Sequence, residues 1–168
     1  MIQPFRVAAS AILLLAAVSS ARADSVLVLV RHAEKIDESS DAQLSDVGRS
    51  RARALAALLK DAGIEAVYST DFARTRDTAQ PTAEILSKAV EIYDADALED
   101  FARKLRSKGG RALVVGHSNT TPDLVKLLGG DPGAPIADAE YDRIYVLTHS
   151  ADGGVSTLVL RFPPGVEK

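Results

Sequence analysis

Cysteine is missing from the sequence: none of the 168 residues is one. This absence excludes disulfide bonds, thiolate nucleophiles and metal sites that use cysteine as a ligand. The fold must therefore be held together by its core alone.

The sequence also lacks a hydrophobic run long enough to cross a membrane. The longest one, Val7–Val18, has about a dozen residues, whereas roughly 30 Å of hydrocarbon needs about 20. It follows Arg6 and precedes Ala21-Arg22-Ala23, which is the three-part pattern of a secretory signal with a small-x-small cleavage site. We therefore predict that residues 1–23 are a cleaved secretory signal peptide, that the protein is periplasmic or secreted, and that it has no stable membrane anchor.

An excess of basic residues is missing as well. Residues 1–23 contain Arg6 and Arg22 but no acidic residue, so the rest of the chain has 18 basic and 23 acidic residues and a net charge of about −5. This balance argues against nucleic acid or an anionic membrane as a partner. Residues 24–168 show no internal repeat, linker or low-complexity segment and have the length of one domain. We predict a single domain over this range.

Short apolar segments alternate with segments of helical spacing along the chain. The β-branched run Val26–Val30 is typical of a buried strand, and glycine, proline and capping residues separate the other elements. The predicted order is strand Val26–Val30, helix Asp46–Lys60, strand Glu65–Ser69, a helix capped by Thr70 or Asp71 that reaches Lys88 with a kink or restart at Pro81, strand Ala89–Tyr93, helix Asp96–Ser107, strand Arg111–Gly116, helix Thr121–Leu128, and strands Ile144–Thr148 and Val155–Phe162. This order predicts an α/β fold, a three-layer sandwich with a mostly parallel central sheet and helices on both faces.

Four basic side chains follow the predicted strands. Arg31 and His32 come directly after the first strand, Arg74 lies early in the helix after the second, and His117 follows Arg111–Gly116. Ligands of open α/β sheets bind at the carboxyl ends of the strands, so we expect these four side chains to meet.

Two arginines in one pocket indicate an anionic ligand, because like charges repel and a guanidinium cannot lose its proton. A phosphoryl group accepts paired, charge-assisted hydrogen bonds, each worth roughly 1.5 to 3 kcal/mol. A neutral histidine, with an ordinary pKa of about 6.5, can attack such a group when its other ring nitrogen is held as a donor. The residues themselves therefore predict a phosphate pocket with histidine chemistry.

Four motifs, in order, resemble those of the histidine phosphatase superfamily, the phosphoglycerate-mutase-like enzymes. They are Leu29–Glu34 (LVRHAE), with Ala33 where the family has glycine, Leu44–Gly48 (LSDVG), Tyr68–Ala79 (YSTDFARTRDTA) and Val114–Thr120 (VVGHSNT). The resemblance implies a phosphoglycerate-mutase-like fold, no metal and no cofactor.

The resemblance also implies roles for the four basic residues. His32 would accept the phosphoryl group, and Arg31, Arg74 and His117 would bind it. The expected function is an exported phosphatase, either a phosphomonoesterase or a phosphoramidase, that works through a phosphohistidine. Its partner would be a small phosphorylated substrate or a phosphoprotein.

The general acid is left open. Some branches of the family have an aspartate directly after the second histidine, where this chain has Ser118. Other branches use a glutamate after the third strand. The candidates here are Glu99, then Glu34 beside the nucleophile, or neither, because Asp94–Asp100 also fits a solvated helix start. Without a strong acid, the enzyme would prefer good leaving groups such as phosphoramidates or aryl phosphates.

Three alternative functions stay open: a phosphate-binding module with degenerate catalysis, a phosphomutase, and a serine hydrolase. The hydrolase would use Ser118 in an elbow-like turn followed by Asp142 and His149, although Thr120 stands where the elbow needs glycine.

Four other basic side chains and one further histidine are expected outside the pocket. They are Arg76 on the surface or behind the pocket, His149 as a structural or exposed residue, and Arg49, Arg51 and Arg53 as a solvated helix face.

Overall fold

The structure is a computed structural model that describes residues 24–163. The predicted signal peptide, residues 1–23, lies outside the described residues. The elements in chain order are β1 (Ser25–Arg31), α1 (Asp46–Leu59), β2 (Ala66–Ser69), α2 (Ala73–Ile85), β3 (Val90–Ile92), α3 (Leu98–Lys108), β4 (Gly110–Gly116), α4 (Thr120–Leu127), β5 (Arg143–His149) and β6 (Val155–Arg161). In the part of the chain that is described, no helix combines the length and apolarity needed to cross a membrane.

One six-stranded sheet, in the order β3-β2-β4-β1-β5-β6, forms the middle layer. The pairs β1 with β4, β4 with β2, and β2 with β3 are parallel, while β5 runs antiparallel to β1 and β6 antiparallel to β5. Parallel neighbours need crossover connections, and α1, α2 and α3 supply them. The predicted α/β sandwich with a mostly parallel sheet is confirmed.

Helices cover both faces of the sheet. Because successive strand residues point to opposite faces, Leu27 and Leu29 pack with α3 and α4, while Val28 and Val30 pack with α1 and α2. Burial on both faces explains why the first strand is a continuous apolar run instead of an alternating one.

Helix α2 differs from its prediction. Its cap is Phe72, not Thr70 or Asp71, and it does not restart at Pro81 but runs as one helix from Ala73 to Ile85. An internal proline costs about 3 kcal/mol. Packing offsets this cost, because the helix buries one side, including Ala79 and Ala83, in the core between α1 and the sheet.

Candidate active site

The four predicted site residues meet in one cleft at the carboxyl edge of the parallel strands. Arg31 is paired in register with Gly116, so the residues that follow, His32 and His117, leave the sheet side by side. Their ring centroids are 5.5 Å apart. Arg74, from the first turn of α2, lines the same cleft, which has a volume of about 720 Å³. The predicted convergence is confirmed, while the catalytic roles stay a prediction.

His32 is held with one ring nitrogen free. Its Nδ1 lies 2.8 Å from the backbone carbonyl oxygen of Ala33, which can only accept a hydrogen bond, so Nδ1 carries the proton. Nε2 then holds the lone pair. Burial is the largest of the causes that lower the pKa of His32 to about 3. The hydrogen bond to Ala33 opposes this shift, whereas the charges of Arg31, His117 and Arg74 add to it. His32 is therefore a neutral potential nucleophile over the usual pH range.

The loop after His32 is fixed by its neighbours. The backbone N–H of Ala33 donates to Thr78 Oγ1 at 2.9 Å, and the carbonyl oxygen of Glu34 accepts from the N–H of Ser45 at 2.8 Å. A Cβ on Gly48 would lie 2.1 Å from that same oxygen of Glu34, so only glycine fits. Ser45 also caps α1, because its Oγ accepts from the N–H of Gly48 at 3.1 Å, so the LSDVG segment fixes the loop that follows the histidine.

Arg31 is almost fully buried and joins the strand to a distant loop. Its Nη1 donates to the carbonyl oxygens of Ala137, Asp138 and Glu140 at 2.9, 2.9 and 3.0 Å. The guanidinium lies 4.2 Å from the centre of the Tyr141 ring. Its Nε is buried and has no hydrogen-bond partner among the described residues. A buried donor without a partner is costly, which suits a residue whose remaining donors meet a ligand.

Arg74 and His117 both contact the ring of Phe72. Arg74 donates from Nη1 to the carbonyl oxygen of Ser40 at 2.8 Å and lies 4.5 Å from the centre of the Phe72 ring. The His117 ring meets the same Phe72 ring edge-on at 5.1 Å. Burial, followed by the charges of Arg74 and Arg31, lowers the pKa of His117 to about 4. The cleft thus offers two guanidinium groups and two neutral imidazoles, with Lys35 as a further cation in its lining, an arrangement suited to an anion.

Residues 27–103 match the family model of the histidine phosphatase superfamily, branch 1. The chain is similar to this superfamily over 77 of its 168 residues, a segment that contains His32 and Arg74. Comparison with curated proteins gives no match.

Several solved structures share the fold. The protein histidine phosphatase SixA complexed with tungstate has a TM-score of 0.65 and 20% identity, covering 83% of this chain and 97% of that one. A phosphoglycerate mutase from Bacillus anthracis has a TM-score of 0.61 and 16% identity, with 84% and 94% covered. The mycobacterial glucosyl-3-phosphoglycerate phosphatase Rv2419c has a TM-score of 0.57 and 16% identity, with 85% and 100% covered.

Glu34 does not line the cleft. The carboxylate of Glu34 accepts from Arg51 Nε at 3.0 and 2.9 Å and from Arg51 Nη2 at 2.6 Å. Arg51 also donates to the carbonyl oxygen of Phe162 at 2.7 Å and is 7% exposed. The prediction that Arg51 belongs to a solvated face is therefore wrong, because its charge is neutralised by a glutamate in the nucleophile loop. This pairing also argues against Glu34 as the general acid.

The first-named acid candidate, Glu99, lines a neighbouring groove rather than the cleft. Arg76, as expected, lies outside the cleft and pairs with Asp71. The carboxylate-bearing residues that do line the cleft are Glu38, Asp96, Asp123 and Asp138. Among the described residues, no group of three or more histidine, aspartate or glutamate side chains is arranged to hold a metal ion.

The serine hydrolase alternative is wrong for this fold. Ser118 lines the cleft, but His149 pairs in register with Ser25 at the far end of β1. Seven strand residues span roughly 20 Å. His149 donates from Nε2 to the carbonyl oxygen of Leu128 at 2.8 Å, and Asp142 binds Arg161 at 2.7 Å. No triad can form, and His149 is structural, as predicted.

Three site residues were missed by sequence reasoning: Thr70, Thr78 and Tyr141. Thr70 lies 2.9 Å from His117 Nε2, Thr78 holds the Ala33 N–H, and Tyr141 covers Arg31. Thr70 is the first residue beyond β2, and that position was the available signal. Tyr141 lies next to a loop rich in glycine and proline. Such a loop has no regular periodicity from which its contact with Arg31 could be predicted.

Proposed function

We propose that the protein is an exported, metal-independent phosphatase that works through a phosphohistidine on His32. The match to the superfamily model, together with the fold shared with a phosphoglycerate mutase, supports a phosphatase or a mutase. The observation that carries the proposal is the state of His32: with Nδ1 donating to Ala33, the Nε2 lone pair is free beside two arginines. A phosphorus atom held by those arginines is the electrophile such a lone pair needs.

The reaction would run in two displacements. In the first, the Nε2 lone pair of His32 forms a bond to phosphorus while the bond to the leaving atom breaks, and the leaving atom keeps the electron pair and takes a proton from water. Arg31, Arg74 and His117 hold the phosphoryl oxygens. In the second, water attacks phosphorus and loses a proton, the N–P bond breaks, and phosphate leaves with His32 neutral again. The two arginines supply the positive charge that stabilises both transition states.

Substrates with good leaving groups suit this cleft best. The acids that the motifs suggest are not in place, because position 118 is a serine, Glu34 is held by Arg51 and Glu99 lines a neighbouring groove. A proton for a poorer leaving group would have to come from one of the cleft-lining carboxylic acids, Glu38, Asp96, Asp123 or Asp138. A phosphoramidate needs little help, because its nitrogen can be protonated before the bond breaks. The similar fold of SixA, which is named a protein histidine phosphatase, supports a phosphohistidine protein as the substrate class.

Trapping the covalent intermediate tests the mechanism. Radiolabelled phosphoramidate, mixed with the enzyme and quenched in alkali within one turnover, should leave the label on the peptide that contains His32. The bond should be stable in alkali and labile in acid, as for phosphohistidine. Hydrolysis without label on His32 would contradict the proposal. Binding of phosphate without hydrolysis would instead indicate the non-catalytic phosphate-binding module.

Export rests on the three-part pattern of residues 1–23. A tagged copy should appear in the exported fraction with its N-terminus near Asp24. Recovery in the cytosol with Met1 retained would contradict export.

A further inference from the structure

Two buried threonine hydroxyls stand behind His117. Thr70 Oγ1 lies 2.9 Å from His117 Nε2 and 3.0 Å from Thr75 Oγ1. Thr75 Oγ1 in turn lies 2.9 Å from the carbonyl oxygen of Phe72 and 3.0 Å from that of Thr70. Both threonines are at most 1% exposed, so no bulk water competes for these bonds.

The chain of hydroxyls has only one consistent direction. A hydroxyl has a single proton, and Thr75 must use its proton on a backbone carbonyl, which can only accept. Thr75 Oγ1 therefore accepts from Thr70, which leaves Thr70 with only lone pairs to offer. His117 must then carry its proton on Nε2 and donate it to Thr70. His32 is the opposite case, because its proton is on Nδ1.

We propose that Thr70 is a positioning residue that fixes the proton of His117 on Nε2 and makes Nδ1 the nitrogen that meets the phosphoryl group. Anion binding is thereby coupled to the uptake of a second proton by His117. This inference rests on the proposed function, since it requires the cleft to bind a phosphoryl group. A neutral His117 would present the Nδ1 lone pair to an anionic oxygen, and two lone pairs repel. A second proton turns Nδ1 into a charged donor, while Nε2 keeps Thr70 as its acceptor.

The charges around His117 agree with such coupling. In the free cleft, burial and then the charges of Arg74 of α2 and Arg31 of β1 oppose a positive charge on His117. The acids that line the cleft are Asp96, Asp123 of α4, Glu38 and Asp138, and Lys35 lines it as a further cation. A bound dianion neutralises the arginines and attracts the proton, so the pKa of His117 rises on binding. One linked proton changes an affinity tenfold for each pH unit.

Sulfate is a suitable probe, because it carries two negative charges and takes up no proton across neutral pH. In the wild-type protein we expect nitrogen NMR of the histidine side chains to show the Nε2–H tautomer of His117. We expect sulfate to bind roughly tenfold more weakly at pH 7 than at pH 6, with Nδ1 of His117 protonated in the complex.

Thr70→Val should change both results. A charged His117 would then have an Nε2–H without an acceptor, so the neutral Nδ1–H tautomer would bind sulfate instead and the pH dependence would flatten to about threefold or less. Thr70→Ser should restore the wild-type tautomer and slope. Thr82→Val is the matched control, because the buried hydroxyl of Thr82 has no hydrogen-bond partner among the described residues. It should leave both readouts unchanged.

A wild-type His117 with its proton on Nδ1 would overturn the inference, and so would an unchanged pH slope in Thr70→Val. If Thr70→Val fails to fold, the wild-type spectrum and Thr70→Ser decide the question. Neither readout needs turnover. Failure of phosphoenzyme trapping would therefore contradict the proposed function while leaving the tautomer result to be judged separately.

Discussion

Asparagine in place of His32 is expected to lower the hydrolysis of p-nitrophenyl phosphate by at least roughly 10³-fold, because the variant has no nucleophile. Asparagine is close in size to histidine, and its amide N–H can still donate to the carbonyl oxygen of Ala33, which the histidine holds at 2.8 Å. The other two loop contacts, from the N–H of Ala33 to Thr78 and from the N–H of Ser45 to the carbonyl oxygen of Glu34, do not involve the His32 ring. The loss should therefore appear in kcat, with the fold and the anion pocket kept.

The matched control is His149→Asn, the same substitution at the far end of the sheet. His149 bonds Ser25 and Leu128 and takes no part in the cleft, so this variant should retain most of the activity of the folded enzyme. Steady-state kinetics, together with thermal unfolding of both variants, separate catalysis from stability. Activity within tenfold of wild type in His32→Asn would exclude the covalent mechanism, while equal losses in both variants would point to instability.

Much of the fold follows from the sequence because burial on both sheet faces leaves a strong signal. The apolar runs Val26–Val30 and Arg111–Gly116 lie in adjacent central strands, and their ends determine where the site is built. Once these strands are parallel neighbours, Arg31, His32 and His117 must meet. This step needs only the order of elements and the handedness of crossovers.

The ends of α2 were less predictable because the competing interactions are tertiary. Threonine is a residue type that favours helix N-caps, but the hydroxyl of Thr70 bonds His117 and Thr75 instead of the helix backbone. Pro81 has a strong local preference against the helix interior, which packing on α1 and the sheet offsets. In both cases a local rule gave way to a contact between residues distant in sequence.

Arg51 was misjudged for a related reason. It lies among arginines on a helix with clear amphipathic spacing, and sequence does not reveal which of them turns inward. Its acceptors are Glu34 and the carbonyl oxygen of Phe162, which lies 111 residues away. The same ion pair removes Glu34 from the list of acids. One ion pair therefore accounts both for the burial of Arg51 and for the unsuitability of Glu34 as the general acid.

Lysine in place of Arg74 is expected to lower kcat/KM for p-nitrophenyl phosphate between about 10-fold and 150-fold, the equivalent of one charge-assisted hydrogen bond of roughly 1.5 to 3 kcal/mol. Arg74 uses Nη1 to bond Ser40 and its flat face to cover Phe72, so its planar fork can reach a phosphoryl group while staying anchored. A lysine ammonium is a single point charge and cannot do both.

Arg76→Lys, two residues along the same helix, is the matched control, because Arg76 pairs with Asp71 outside the cleft and should tolerate the change within about twofold. Measuring both variants with p-nitrophenyl phosphate and with sulfate as a competitive inhibitor shows whether the lost contact is to the anion: sulfate inhibition should weaken in Arg74→Lys only. Equal activity in the two variants would remove Arg74 from the phosphoryl clamp and leave Arg31 as its one guanidinium.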